Sequence, residues 1–125
     1  MTENELAKII VDLGVKIHKN LGPGLLESVY EAALVYELKK LGIPVENQIG
    51  IPVSYDQINM DLGFRADVVV DNKLIVELKS IENLMPVHKK QLLTYLKLST
   101  KKLGLLVNFN VELMKDGITR IANGL

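Results

Sequence analysis

Two apolar runs separated by a turn signal constrain this chain more than any other stretch of its 125 residues. The runs cover residues 66–70 and 74–78, consist mainly of Val, Ile and Leu, and flank Asp71-Asn72. Apolar, β-branched residues on both sides of such a turn predict a β-hairpin with a short loop. We therefore expect this hairpin to lie at the centre of a sheet.

Three charged residues interrupt these runs: Asp67, Glu77 and Lys79. Because side chains alternate along a strand, Glu77 and Lys79 share one face. A two-residue loop would turn Asp67 away from that face, whereas a three-residue loop would turn it towards Glu77. We predict the three-residue loop, with Asn72 or Lys73 in the left-handed conformation.

Two carboxylates and a lysine on an otherwise apolar sheet are costly to bury unless they have partners. One interpretation is a structural ion pair between Lys79 and either Glu77 or Asp67. The other is a divalent-metal site, because two carboxylates can bind Mg²⁺ or Mn²⁺ and leave positions for water and a phosphate oxygen. Lys79 would then orient or deprotonate the attacking water, or stabilise the charge that develops on the phosphorus.

Composition limits the classes of protein that remain. The length suggests a single domain over residues 1–125 with a substantial core. The chain contains no cysteine, which excludes disulfides, thiolate zinc sites and a cysteine nucleophile. We see neither an apolar run as long as a membrane span nor a signal-peptide pattern, so we expect a cytoplasmic protein with no membrane partner.

The charge is distributed unevenly, although the formal net charge is zero. Residues 1–85 carry 8 basic and 13 acidic side chains, whereas residues 86–125 carry 7 basic and 2 acidic ones. Asymmetry of this kind can mark a binding face. The lysines of the second segment, among them Lys89 and Lys90, form either a solvated helix face or a surface that contacts a phosphate backbone.

Three helices are predicted, over residues 2–20, 25–41 and 86–99. Thr2 and Glu5 form a capping-box pattern at the start of the first. Gly42 follows the second in the position that favours a left-handed residue, and Pro86 opens the third.

Strands are predicted over residues 45–55, 66–70, 74–78 and 103–109, and Pro52 indicates an edge or a bulge in the first of them. The last elements are expected to be a β-hairpin from Leu113 to Ile121, with a type I′ turn at Asp116-Gly117. The fold class is therefore mixed α/β (α+β), with an αβββαβ core, an extra N-terminal helix and a C-terminal β-hairpin.

The start of the second helix resembles a known family. The segment L-G-P-G-L-L-E-S-V-Y is similar to the motif of the small prokaryotic GxxExxY family, through Gly24, Glu27 and Tyr30. The likeness continues in E-N-Q-I-G-I-P-V, F-R-A-D-V-V-V, V-E-L-K-S, P-V-H-K-K-Q-L-L-T-Y-L and L-G-L-L-V-N-F, over almost the whole chain. That family is placed in the PD-(D/E)xK nuclease superfamily, so the resemblance implies a restriction-endonuclease-like fold.

The resemblance also implies roles for individual residues. Asp67, Glu77 and Lys79 match the active-site signature D…E-x-K of that superfamily. Glu27 matches the helical carboxylate that many members supply as a further metal ligand, and Gln91 matches a helix residue that commonly follows the E-x-K strand. Without the resemblance, Glu27 would be interpreted as a carboxylate stabilised by the dipole of its helix.

The favoured function is that of a metal-dependent nuclease that uses Mg²⁺ or Mn²⁺. Glu27, Asp67 and Glu77 would bind the metal, and a metal-activated water would attack the phosphodiester with the help of Lys79. Gln91 would act beside the scissile phosphate or the water. The remaining candidate substrate contacts are Tyr30, Tyr95, Lys89 and Lys90.

The expected partner is nucleic acid, with DNA favoured over RNA, and a core this small is also compatible with a homodimer or a protein partner. The alternative function is a non-catalytic module of the same fold that binds nucleic acid or a protein. The zero net charge and the few aromatic residues support the module. The intact D…E-x-K set supports the enzyme.

Overall fold

The computed structural model describes the backbone of residues 1–125 and the side chains of residues 1–60 and 63–125. Helices α1, α2 and α3 span Glu3–Leu21, Glu27–Lys40 and Pro86–Ser99. Strands β1 to β5 span Val45–Tyr55, Ile58–Val70, Leu74–Lys79, Leu103–Asn108 and Ile118–Ala122. This is a mixed α/β architecture, consistent with a restriction-endonuclease-like fold, and it confirms the predicted fold class. Among the described residues, no helix combines the length and the apolar character needed to span a bilayer.

The five strands form one sheet in the order β1-β2-β3-β4-β5. Only β3 and β4 pair in parallel, and the other three neighbouring pairs are antiparallel. A parallel pair needs a crossover connection, and α3 provides it. The order from α2 to β4 is therefore the αβββαβ series that periodicity and turn signals predict.

Helices cover the sheet on both faces. The larger core packs α1 and α2 against one face, and a smaller core packs α3 against the other. The strands β3 and β4 are buried on both faces, which explains their nearly continuous apolar sequences. The α3 core consists of Ala66, Val69, Ile75, Leu92, Leu96 and Leu106.

The predicted boundary signals are confirmed. Thr2 caps α1 through the reciprocal capping box with Glu5. Gly42 follows α2 with a φ of 72°, and Pro86 is the first residue of α3. Strand β1 is an edge strand, and its pairing with β2 shifts register around Pro52, as a residue without an N–H requires.

The predicted C-terminal β-hairpin is wrong in its first half. Met114–Gly117 forms a 3₁₀ turn, and β5 pairs with β4 rather than with a preceding hairpin strand. Neither Asp116 nor Gly117 has the positive φ that a type I′ turn requires. Met114 is 3% exposed and belongs to the larger core, so burial of this side chain outweighs the Asp-Gly turn signal.

Candidate active site

The hairpin between β2 and β3 sets the geometry of the site. Its closing pair is Val70 and Leu74, so the loop contains three residues, as predicted. Asp71 and Asn72 have φ values of 50° and 53°, and the N–H of Lys73 donates to the carbonyl of Val70 at 3.0 Å. The left-handed residues are thus Asp71 and Asn72, whereas the sequence suggested Asn72 or Lys73.

The three-residue loop places Asp67 and Glu77 opposite each other. Pairing between β2 and β3 ends at Val68 and Val76, and the next row along the two strands would contain Asp67 and Glu77. Ile75 belongs to the α3 core, and alternation directs Glu77 and Lys79 to the same face. The charged residues therefore lie where β2 and β3 separate.

Where β2 and β3 separate, the two carboxylates accept hydrogen bonds from backbone N–H groups of the facing strand. The N–H of Asp67 donates to Oε2 of Glu77 at 3.3 Å. The N–H of Leu78 donates to Oδ2 of Asp67 at 2.9 Å. Each strand thus uses its carboxylate to satisfy the backbone of the other, because a ladder partner is missing there.

Glu77 lies in an environment that disfavours its charge. The side chain is 8% exposed, and its Oε1 is buried with no hydrogen-bond partner among the described atoms. Burial, and secondly the side-chain hydrogen bonding and the charge of Asp67, raises the pKa of Glu77 to about 9, although the hydrogen bond from the Asp67 N–H acts in the opposite direction. Tyr95 lies near enough to be affected, because burial and the charges of Glu77 and Asp67 raise its pKa.

These observations fit a divalent cation. Buried polar atoms without a partner are rare in folded proteins, and a cation would give Oε1 of Glu77 a partner and relieve its repulsion with Asp67. Both residues supply hard oxygen ligands. Mg²⁺ commonly binds through one or two carboxylates and completes its shell with water and phosphate oxygens.

Lys79 is half-buried, two residues after Glu77. Its charge favours the ionised form of Glu77. However, Lys79 is in none of the ion pairs within 4.0 Å found between described side chains. The structural ion pair that the sequence left open is therefore not formed, and the ammonium remains available to a ligand.

Glu27 lies apart from this pair of carboxylates. It is exposed at the first position of α2 and lines a groove with Leu25, Leu26, Ser28 and Ser80. The Ser80 hydroxyl donates to the Leu25 carbonyl at 2.6 Å, so the groove lies at the end of the E-x-K strand. Within the described part of the chain, no three His, Asp or Glu residues form a group that could hold a metal. The expected cluster of Glu27, Asp67 and Glu77 is therefore not assembled, and Glu27 as a ligand stays a prediction.

Helix α3 brings the other predicted residues to the face of Glu77. Tyr95 stacks on Phe64 with ring centroids 3.8 Å apart and planes 4° from parallel. Gln91 is exposed one helical turn before Tyr95. Lys89 and Lys90 are exposed in the first half of the helix. These positions are compatible with substrate contacts.

Tyr30 does not fit the substrate contact expected of it. The side chain is fully buried, and its ring stacks on Phe109 with centroids 4.2 Å apart. Its hydroxyl donates to the carbonyl of Gly22 at 2.6 Å and accepts from the N–H of Leu25 at 3.1 Å. Tyr30 therefore fixes the glycine-rich loop before α2. The sequence motif that contains Tyr30 does not distinguish this structural role from substrate binding.

Sequence reasoning missed Gln48, whose side chain lies beside Asp67, and the residues that hold it. The side-chain amide of Gln48 donates to Oε1 of Glu31 at 2.6 Å and reaches Oδ1 of Asp67 at 3.4 Å. Arg65 donates to the carbonyl of Gln48 at 2.6 Å. The only signal in the sequence was the polar pair Asn47-Gln48 inside an otherwise alternating strand.

Comparison with known protein families gives a match over almost the whole chain. A family model described as the PD-(D/E)XK nuclease superfamily matches residues 4–121. The chain therefore belongs to the PD-(D/E)XK nuclease superfamily. Neither the curated proteins nor the solved structures compared with the chain gave a match.

Proposed function

We propose that this chain is a metal-dependent nuclease that hydrolyses phosphodiester bonds, with DNA favoured over RNA. The observation that carries the proposal is the facing pair of Asp67 and Glu77 at the point where β2 and β3 separate. One oxygen of that pair, Oε1 of Glu77, is buried without a hydrogen-bond partner among the atoms that the structure describes. We also propose that the chain belongs to the GxxExxY subfamily, on the sequence segments that resemble it.

Asp67 and Glu77 would hold Mg²⁺ or Mn²⁺. When bound, the cation would supply Lewis-acid polarisation of a phosphate oxygen and activation of water. Glu77 must lose its proton to act as a ligand, since burial and Asp67 hold its pKa near 9 in the metal-free protein. Glu27 is proposed as a ligand that reaches the site only when substrate or metal is present.

The remaining side chains would act on the substrate. Lys79 forms no ion pair with a described carboxylate, so its ammonium can stabilise negative charge on the phosphate or orient the attacking water. Gln91 would donate to a phosphate oxygen or the water from the exposed face of α3. Lys89 and Lys90 would contact the phosphate backbone from the same helix.

The test is a cleavage assay on single- and double-stranded DNA and RNA with Mg²⁺ or Mn²⁺. We expect the wild type to cleave at least one substrate, and Glu77→Gln to lower the rate at least a hundredfold. Glu82→Gln is a matched control, because Glu82 is exposed and outside the site, and its rate should equal that of the wild type. Cleavage that survives in Glu77→Gln would contradict the assignment of the site.

The non-catalytic module is the alternative outcome of the same assay. It is favoured by the absence of a three-carboxylate group among the described residues. Tight binding of nucleic acid by the wild type, with no cleavage in any divalent metal, would establish the module instead of the enzyme.

A further inference from the structure

Gln48 occupies an unusual position in β1. Its neighbours Asn47 and Ile49 pair with Val68 and Ala66 in a single register, which places Gln48 opposite Asp67. Gln48 has a φ of 50°, a left-handed conformation that residues with a side chain adopt rarely within a strand. No residue is inserted at this point, so the conformation is not required by a register shift.

The left-handed residue reverses the direction in which β1 presents its side chains. Val45 packs against the core under α1 and α2, whereas Ile49 packs against the α3 core, although both are odd-numbered. The facing strand reverses in the same row, because Ala66 belongs to the α3 core and Val68 to the other. Asp67 therefore lies at a local twist of both strands.

Gln48 is held through its side-chain amide nitrogen and through its backbone carbonyl. Its amide nitrogen donates to Glu31 at 2.6 Å and lies 3.4 Å from Oδ1 of Asp67. Arg65 fixes the backbone carbonyl of the same residue. Asn47 donates to the second oxygen of Glu31 at 3.1 Å. A strained backbone that is fixed by several contacts beside a candidate site indicates a role in positioning.

We propose that Gln48 is a positioning residue for Asp67, with Glu31 as its anchor. Oδ2 of Asp67 accepts the N–H of Leu78, and Oδ1 faces the amide of Gln48. Contacts at both oxygens restrict rotation of the carboxylate about its side-chain torsions. Where the proposed function holds, this orientation presents Asp67 to a cation, since residues that hold a ligand in place commonly control metal affinity.

The decisive variant is Gln48→Gly, because glycine accepts the left-handed backbone and removes only the side chain. Its melting temperature should stay within a few degrees of the wild type. Hydrogen exchange at the Leu78 amide, measured by NMR in metal-free protein, should become about fivefold faster or more, because a freely rotating Asp67 releases that N–H. Amides of β4 should keep their exchange rates.

The variants Glu31→Ala and Asn47→Ala test whether Glu31 acts through its contact with Gln48 or through its contact with Asn47. Glu31→Ala should accelerate exchange at Leu78 like Gln48→Gly, and the double variant Gln48→Gly/Glu31→Ala should add little, because the two residues act in one chain of contacts. Asn47→Ala is the matched control. It removes a hydrogen bond to Glu31 but leaves Gln48 in contact with Asp67, so exchange at Leu78 should change less than twofold.

Mn²⁺ titration gives a second readout. Gln48→Gly should weaken Mn²⁺ binding about tenfold, the lower end of the range for residues that orient metal ligands. Unchanged exchange at Leu78 in Gln48→Gly would overturn the proposal, as would equal acceleration in Asn47→Ala. A wild type that binds no Mn²⁺ would refute the proposed metal site, while the exchange rates would still decide the role of Gln48.

Discussion

The N–H of Asp67 donates to one oxygen of Glu77 at 3.3 Å, while the other oxygen of Glu77 is buried without a hydrogen-bond partner among the described residues. The first contact holds β2 beside β3 where their ladder ends. The second oxygen accepts no hydrogen bond from the part of the chain that the structure describes. A buried group left in this state reduces stability, and such a local cost is expected at functional sites.

Glu77→Gln should therefore stabilise the metal-free protein in a pH-dependent way. Burial, then Asp67, raises the pKa of Glu77 from 4.5 to about 9. Between these values the folded state binds more protons than the unfolded state, so the wild type loses stability as pH rises. We expect the variant to exceed the wild type by about 3 kcal/mol at pH 8, since one pKa unit corresponds to about 1.4 kcal/mol and relaxation reduces the full effect. At pH 5 the difference should be small.

Urea denaturation in the presence of a chelator measures this difference. Glu82→Gln, an exposed control, should follow the wild type at both pH values. A Glu77→Gln variant whose gain in unfolding free energy is the same at pH 5 and pH 8 would show that burial of the charge is not the cause.

A divalent cation should raise the melting temperature of the wild type. Binding to the folded state alone stabilises it, by about 1.4 kcal/mol when the cation is at ten times its dissociation constant. The increase should be larger at pH 9 than at pH 6, because Glu77 must release its proton to bind. Asp67→Asn should remove the increase in a thermal-shift measurement with Mg²⁺ or Mn²⁺. An equal shift in the variant would place the cation elsewhere.

The sequence predicted the hairpin and its charges because both depend on neighbouring residues. The three-residue loop is a local property of Asp71 and Asn72, and alternation then determines where Asp67 and Glu77 point. The helix ends at Thr2 and Gly42 were equally local. The relative placement of side chains that follows from strand alternation and turn length can therefore be predicted from the sequence.

The rest depends on contacts between distant segments. Burial of Met114 against α1 decides the 3₁₀ turn that replaced the predicted hairpin strand. Gln48 and Glu31 are 17 residues apart, and the contacts of Gln48 with Glu31 and Asp67 need α2, β1 and β2 to be assembled first. The motif that contains Tyr30 likewise cannot show that its hydroxyl is occupied by backbone groups.

Tyr30→Phe should destabilise the protein without changing the chemical step. The hydroxyl of Tyr30 contacts both Gly22 and Leu25 in the loop before α2. Removing it leaves two part-buried backbone groups without this partner, at a cost of about 1–2 kcal/mol. Tyr36→Phe is the matched control, since Tyr36 is 62% exposed and should change stability by less than about 0.5 kcal/mol. A lower single-turnover rate in a folded Tyr30→Phe variant would contradict this prediction and support the substrate contact expected from the sequence.

Lys79 and the exposed lysines of α3 should affect different steps. Lys79 follows Glu77 by two residues and pairs with none of the carboxylates that the structure describes. Lys79→Ala should therefore lower single-turnover cleavage about a hundredfold and leave nucleic-acid affinity within about twofold. Lys89 and Lys90 lie on the exposed face of α3. The variant Lys89→Ala/Lys90→Ala should instead weaken binding and reduce the slope of log affinity against log salt by about one unit for each lost phosphate contact.

The two variants are compared in both assays, with saturating nucleic acid for the rate and a salt series for the affinity. At saturation, Lys89→Ala/Lys90→Ala should cleave at nearly the wild-type rate, because the lost contacts only bind the phosphate backbone of the nucleic acid. Lys8→Ala is a control, since Lys8 pairs with Asp12 on an exposed part of α1. If Lys79→Ala changes only affinity, or the α3 variant changes only the rate, the assignment of chemistry and binding to these positions is reversed.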